Sequence, residues 1–206
     1  MTLDEAERLL AASGDYRLLR RVPAAVRWPL AEPHGETRRA VLVDTETTGL
    51  GHDIDEVIEL ALLPFDYERD TGRVISVDEA GALSAFREPS KPIPSDATRL
   101  NGITNEMVKG QAIDADLIKM IVEPAHLIIA HNAGFDRPML EKHWPIFEDK
   151  HWACSFVDID WKAEGIGSAK LDYLLYAQGW FHEGHRALSD ALATLFLLTR
   201  PLPQSK

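Results

Sequence analysis

The chain has 206 residues, 45% of them apolar and 27% charged, enough for one sizeable core and too few for two comfortable domains. Its 33 acidic against 22 basic side chains give a formal charge of −11, which excludes indiscriminate binding to polyanions and requires that any nucleic acid be met at a specific site, with cations helping. The lone Cys154 cannot close an intrachain disulfide, the opening MTLDEAERLL is acidic where a secretory leader is basic and then apolar, and no apolar run reaches membrane-spanning length; a cytoplasmic protein with no membrane partner is expected.

Residues 1–20 carry helical periodicity in Leu3, Ala6, Leu9 and Leu10, then Leu18 and Leu19, with Gly14 as a break. The stretch PLAEPHGETRR, residues 29–39, is rich in proline and charge and reads as a linker. Residues 1–38 are therefore taken as a short N-terminal helical extension and residues 39–206 as the main domain. There, Val41–Asp44 predicts a strand, Val57–Phe65 a second, and Val74–Phe86 a third with a break around Gly81, joined as a meander. After EPSKPIP the texture changes. Asp114–Val122 predicts a helix, Leu127–Ala130 a buried strand, Phe135–His143 a helix, Trp152–Asp158 a fifth strand, Leu171–Gln178 a helix and Leu188–Thr199 a strongly apolar final helix ended by Pro201. The sum is an α/β domain: a mixed five-stranded sheet flanked by helices.

At the end of the first strand the sequence reads DTETTGL. Side chains alternate along a strand, so Asp44 and Glu46 point to one side and Thr45 to the other. The pair by itself fits a surface turn as well as a site, since Asp, Thr and Gly are ordinary turn residues. HNAGFDRP follows the buried strand and puts Asp136 near a helix start, where an acid also simply suits the helix dipole. In HRALSDALATLFLL, Asp190 is surrounded by Leu188, Ala191, Leu192, Leu195 and Phe196, and a buried lone carboxylate is expensive; a local cap at the helix start is the plainer alternative.

If Asp44, Glu46, Asp136 and Asp190 meet, they cannot all stay ionised without cationic compensation. Oxygen-only ligands suit two divalent ions, Mg²⁺ or Mn²⁺, and such a pair held about 4 Å apart serves phosphodiester cleavage. A base must take the proton of the attacking water. His185, placed by Gly184 on a loop ahead of the last helix, is the candidate, because histidine titrates near neutral pH.

The ordered set DTETTGL, HNAGFDRP and HRALSDA resembles the three motifs of the DnaQ-like (DEDDh) 3′→5′ exonucleases, the family that includes the proofreading epsilon subunit of bacterial DNA polymerase III. The resemblance covers roughly residues 38–200, and LNGIT at 100–104 resembles a further family segment, with Asn101 where many relatives have histidine. It implies a ribonuclease H-like fold, a two-metal mechanism with Asp44, Glu46, Asp136 and Asp190 as ligands and His185 as base, and release of nucleoside 5′-monophosphates from a 3′ end. A sister group carries tyrosine where this chain has Arg186, so the histidine class is the better match. By resemblance Thr45, Thr47, Gly49 and Leu50 line the terminal nucleotide, or merely shape the turn, and Asn132 and Phe135 contact the strand or pack. The expected partner is the 3′ end of single-stranded DNA, with RNA as the alternative and a non-catalytic nucleic-acid-binding scaffold as the contrasting class. Stable polymerase docking is not expected, because the chain ends at Lys206 without the tail by which the polymerase subunit grips its partner.

Overall fold

The computed structural model of the chain describes residues 1–205. Its first element is helix α1 (Leu3–Ser13), started by a capping box in which Thr2 Oγ1 accepts from the Glu5 N–H and the Glu5 carboxylate accepts from the Thr2 N–H, and ended by Gly14 at φ 75°. No residue of α1 is buried. The segment after it is bound to the body: the short strand β1 (Arg20–Arg21) pairs in parallel with Trp180–Phe181, and Val22 and Trp28 are buried.

Strands β2 (Thr37–Thr47) and β3 (Val57–Glu68) form the antiparallel centre. Val41, Leu42, Val43, Leu60 and Leu62 are fully buried, which is why both strands read as continuous apolar runs: helices cover both faces of the sheet. β2 begins earlier than the composition suggests, because Arg39 pairs with Asp66 across the strands at 3.1 Å and keeps a charged residue in the ladder. The single third strand expected over Val74–Phe86 is two, β4 (Val74–Val77) and β5 (Leu83–Phe86), lying end to end along the outer edge of β3. Between them the Gly81 N–H donates to Asp78 Oδ1 at 2.9 Å in a tight turn. The sheet thus has six strands in five positions, a correction to the five expected.

Two short helices, α2 (Ser95–Asn101) and α3 (Asn105–Val108), precede α4 (Ala115–Val122), capped by Asp114. Strand β6 (Leu127–Ala130) returns parallel to β2, helix α5 (Ala133–His143) follows, and β7 (Trp152–Cys154) lies parallel to β6. Strand β7 is shorter than the expected Trp152–Asp158, because Asp158 Oδ2 accepts the Cys154 N–H at 2.7 Å and folds the chain back. Helix α6 (Leu171–Ala177), the two-residue strand β8 (Trp180–Phe181) and helix α7 (Ala187–Leu198) complete the chain. The sheet order is β4-β3-β2-β6-β7. Leu42, Ala61 and Leu63 pack on one face against Leu174 of α6 and Ala191, Leu195 and Phe196 of α7; Val41, Val43, Leu60 and Leu62 pack on the other against Ile118, Met139 and Leu140. Among the described residues no helix is long and apolar enough to cross a membrane.

Candidate active site

Strands β2 and β6 run parallel, so their carboxyl ends open at one edge of the sheet, where open α/β sheets place ligands. Asp44 and Glu46 stand at that end of β2, and α7 crosses nearby with Asp190 in its first turn. Carboxylate oxygens of Asp44, Glu46 and Asp190 lie within 4.8 Å of one another. The alternation of β2 thus does what the pattern predicts for Asp44 and Glu46.

Asp136 sits beside this trio rather than within it. It is 4% exposed in the first turn of α5, and its Oδ1 accepts the Thr45 hydroxyl at 2.7 Å. Thr45, expected to face away, therefore couples the fourth carboxylate to β2. Asp44, Thr45, Asn132, Asp136, His185 and Asp190 share one pocket of about 220 Å³.

Burial, then the charges of Asp136, Asp190 and Glu46, drives the Asp44 carboxyl well above the usual carboxylate range. Glu46 is pushed up to about 8 by burial and by Asp190, against a lowering influence of the Asn101 side chain. Asp136 is pushed up to about 7, burial outweighing its bonds to Thr45. These groups cannot be ionised together without added positive charge. The set is all oxygen, convergent and largely buried, which suits a divalent cation.

His185 is exposed and holds the left-handed backbone conformation, φ 63°, the only residue other than glycine to do so among those described. Such a strained position at a pocket rim is where functional side chains cluster. Its N–H donates to Asp190 Oδ2 at 2.9 Å, so the loop that presents the imidazole also fixes the carboxylate.

Sequence reasoning missed His182. Its side chain is 5% exposed, and Nε2 lies 2.6 Å from Asp190 Oδ1 while Nδ1 lies 3.3 Å from Asp172. The available signal was the HEGH string, in which a second histidine stands three residues before the first candidate. Also missed was Glu59, 1% exposed and paired in register with Glu46. Arg186 donates to it from Nη2 at 2.9 Å and Nε at 3.2 Å, and the Ala187 N–H donates at 3.2 Å. This clamp fastens the start of α7 to β3.

The expected substrate residues divide. Asn132 and Phe135 line the pocket, the Phe135 ring 5.6 Å from that of His52. Thr47 is buried and donates to the Gly49 carbonyl at 2.6 Å. A Cβ on Gly49 would come within 2.7 Å of the Asp55 carboxylate, which also accepts from Thr48 and Gly51, so glycine there permits a close approach. Leu50 projects at 82% exposure. Lys142 ties this loop to α5 through the carbonyls of His52, Asp53 and Asp55.

Residues 41–198 match the model of the RNase T type exonuclease family. The chain is 28% identical over 167 residues to the DNA polymerase III subunit epsilon of Treponema pallidum, covering 76% of this chain and 73% of that one. It is 36% identical over 107 residues to the DNA polymerase III PolC-type of Latilactobacillus sakei, covering 51% of this chain and 7% of that protein. Among solved structures, E. coli exonuclease I in complex with single-stranded DNA superposes with a TM-score of 0.62 at 16% identity, over 80% of this chain and 40% of that one. Exonuclease X in complex with 5′-overhanging duplex DNA does so with a TM-score of 0.56 at 24% identity, over 78% and 89%. The likeness to these structures is one of fold, ribonuclease H-like, and the chain spans under half of exonuclease I and a small fraction of the PolC-type protein.

Proposed function

The chain belongs to the RNase T type exonuclease family, and from that premise we propose that it is a DEDDh 3′→5′ exonuclease that removes nucleotides from the 3′ end of single-stranded DNA and releases nucleoside 5′-monophosphates. The observation that carries the reading is the convergence of Asp44, Glu46 and Asp190 within 4.8 Å, with Asp136 on the same pocket wall. In this reading the four carboxylates hold two divalent ions, Mg²⁺ or Mn²⁺. When bound, such ions lower the pKa of water and stabilise charge on the attacking and leaving oxygens of a phosphodiester.

The chain's own residues supply the rest. A ring nitrogen of His185 takes the proton of the attacking water, from a loop exposed enough to reach over the pocket. The His185 N–H and the His182 ring hold Asp190 in one orientation. Thr45 does the same for Asp136. Asn132 and Phe135 line the wall against which the terminal sugar and base rest, with Thr47, Gly49 and Leu50 on the adjoining loop.

The test is cleavage of matched 5′-labelled single-stranded DNA and RNA oligonucleotides in Mg²⁺, in Mn²⁺ and in chelator, with Asp190→Ala as control. A metal-dependent 3′ ladder on DNA, absent in the variant, is expected. A ladder confined to RNA would move the substrate, and tight binding without cleavage of either would leave a scaffold.

A further inference from the structure

We propose that the outer face of α6, continued by Arg17 of the N-terminal segment, is a stacking track for the nucleotides upstream of the 3′ end; this rests on the exonuclease reading. Lys170, the residue just before α6, lines the carboxylate pocket. Tyr173 and Tyr176 follow at a spacing that puts them on one side of the helix. Each is 43% exposed, and their ring centroids are 6.2 Å apart, while Leu174 and Leu175 face the core. The Arg17 guanidinium lies 3.8 Å from the Tyr176 ring centre and donates to the Tyr176 and Ala177 carbonyls at 2.5 and 3.2 Å.

In a chain of formal charge −11, this line sets a cation, two rings and a second cation in sequence away from the carboxylate pocket. Among the described residues neither Lys170 nor Arg17 has a carboxylate partner, and Arg17 donates to protein only from Nη2, which leaves its Nε and Nη1 and the Lys170 ammonium for phosphate. Asp172, the acid within this stretch, lies 3.3 Å from His182 at the pocket but its side chain is 75% exposed, so the strand must pass it on the tyrosine side of the helix. At ~1.5 Å rise per residue, α6 extends about 10 Å, room for about three stacked nucleotides at ~3.4 Å each. Rings beside cations form the surface that grips single strands without reading sequence.

The track also gives the N-terminal segment a task. Parallel pairing of Arg20 and Arg21 with Trp180 and Phe181 fixes the chain directly after Arg17 against the body, so Arg17 is held over Tyr176.

The experiment measures binding of fluorescent oligothymidylates of two, four and eight nucleotides in chelator by anisotropy. In parallel it measures metal-dependent turnover of the p-nitrophenyl ester of thymidine 5′-monophosphate, which occupies the pocket alone. The wild type should tighten with length. Tyr173→Ala and Tyr176→Ala should each lose about ten-fold on the octamer, Tyr173→Phe and Tyr176→Phe should bind like the wild type, and ester turnover should not change. Arg17→Gln should reduce the slope of log affinity against log salt by about 0.7. Length-independent binding by the wild type, or alanine variants that bind the octamer as tightly as it does, would overturn the track. Length-dependent binding without turnover of ester or oligonucleotide would remove the exonuclease reading and leave the track standing. If the alanine variants lose ester turnover through misfolding, the salt slope of Arg17→Gln decides.

Discussion

Glu46→Gln tests the electrostatics of the site without removing a side chain. Glu46 is 9% exposed, and its carboxyl moves from 4.5 to about 8 through burial and the Asp190 charge. In metal-free protein the folded form therefore keeps a proton that the unfolded chain releases above pH 4.5, so stability falls as the pH rises from about 4.5 to about 8. At ~1.36 kcal/mol per pKa unit, about 3 kcal/mol of this fall lies between pH 5.5 and 8.5. Asp44 and Asp136 share the same field, so the figure is of that order and is not to be multiplied by the number of acids. His131 and His143, both lowered by burial, act oppositely, adding stability as the pH rises to 6.5. The difference between variant and wild type cancels them. Glu56, lowered to about 2 by bonds from Ser90 and Arg87 against its burial, contributes fully throughout this range. Urea unfolding in chelator at pH 5.5 and 8.5 should show Glu46→Gln gaining about 3 kcal/mol on the wild type over the interval. Mg²⁺ should stabilise the wild type at pH 8.5 and the variant less. A difference that does not change with pH would refute the reasoning.

Three further changes probe separate parts of the structure. His185→Ala should lower kcat by about 10²- to 10⁴-fold while leaving the Mg²⁺-induced shift in Tm intact; loss of both would assign the residue to metal holding. Arg186→Ala removes the main partner of buried Glu59 and should cost about 2 kcal/mol in urea unfolding, below the ~3–5 kcal/mol of fully buried pairs because Arg186 is 49% exposed. Adding Glu59→Gln should restore part of that, and a double variant no better than the single would deny the clamp. Trp28→Ala should cost about 3 kcal/mol, since the ring meets Phe196 edge-on at 5.1 Å in the core; a cost under about 1 kcal/mol would show that the segment is peripheral.

The central strands and α7 were legible because each is a nearly continuous run of buried apolar residues. The charged start of β2 was not, since Arg38 and Arg39 look like linker until their cross-strand neighbours Tyr67 and Asp66 are known. The same holds for Trp28, whose burial depends on Phe196, far away in sequence. Helix α2 is seven residues long behind a proline-rich run and has no apolar period to show; yet it carries Asn101, whose side chain tempers the rise of the Glu46 carboxyl. Strand alternation located the Asp44 and Glu46 pair, and the motifs located Asp136 and Asp190. That Asp136 is anchored on Thr45 follows from the crossing of α5 with the end of β2, which no local pattern encodes. His182 and Glu59 were hidden for the same reason, as each acts across the fold, on Asp190 and on the start of α7.

The most direct measurement is Mn²⁺ anomalous scattering from crystals of the wild type and of Asp190→Ala. The account expects two peaks in the wild type among Asp44, Glu46, Asp136 and Asp190, with at least one lost in the variant. An active wild-type protein with no peak at these carboxylates would contradict it.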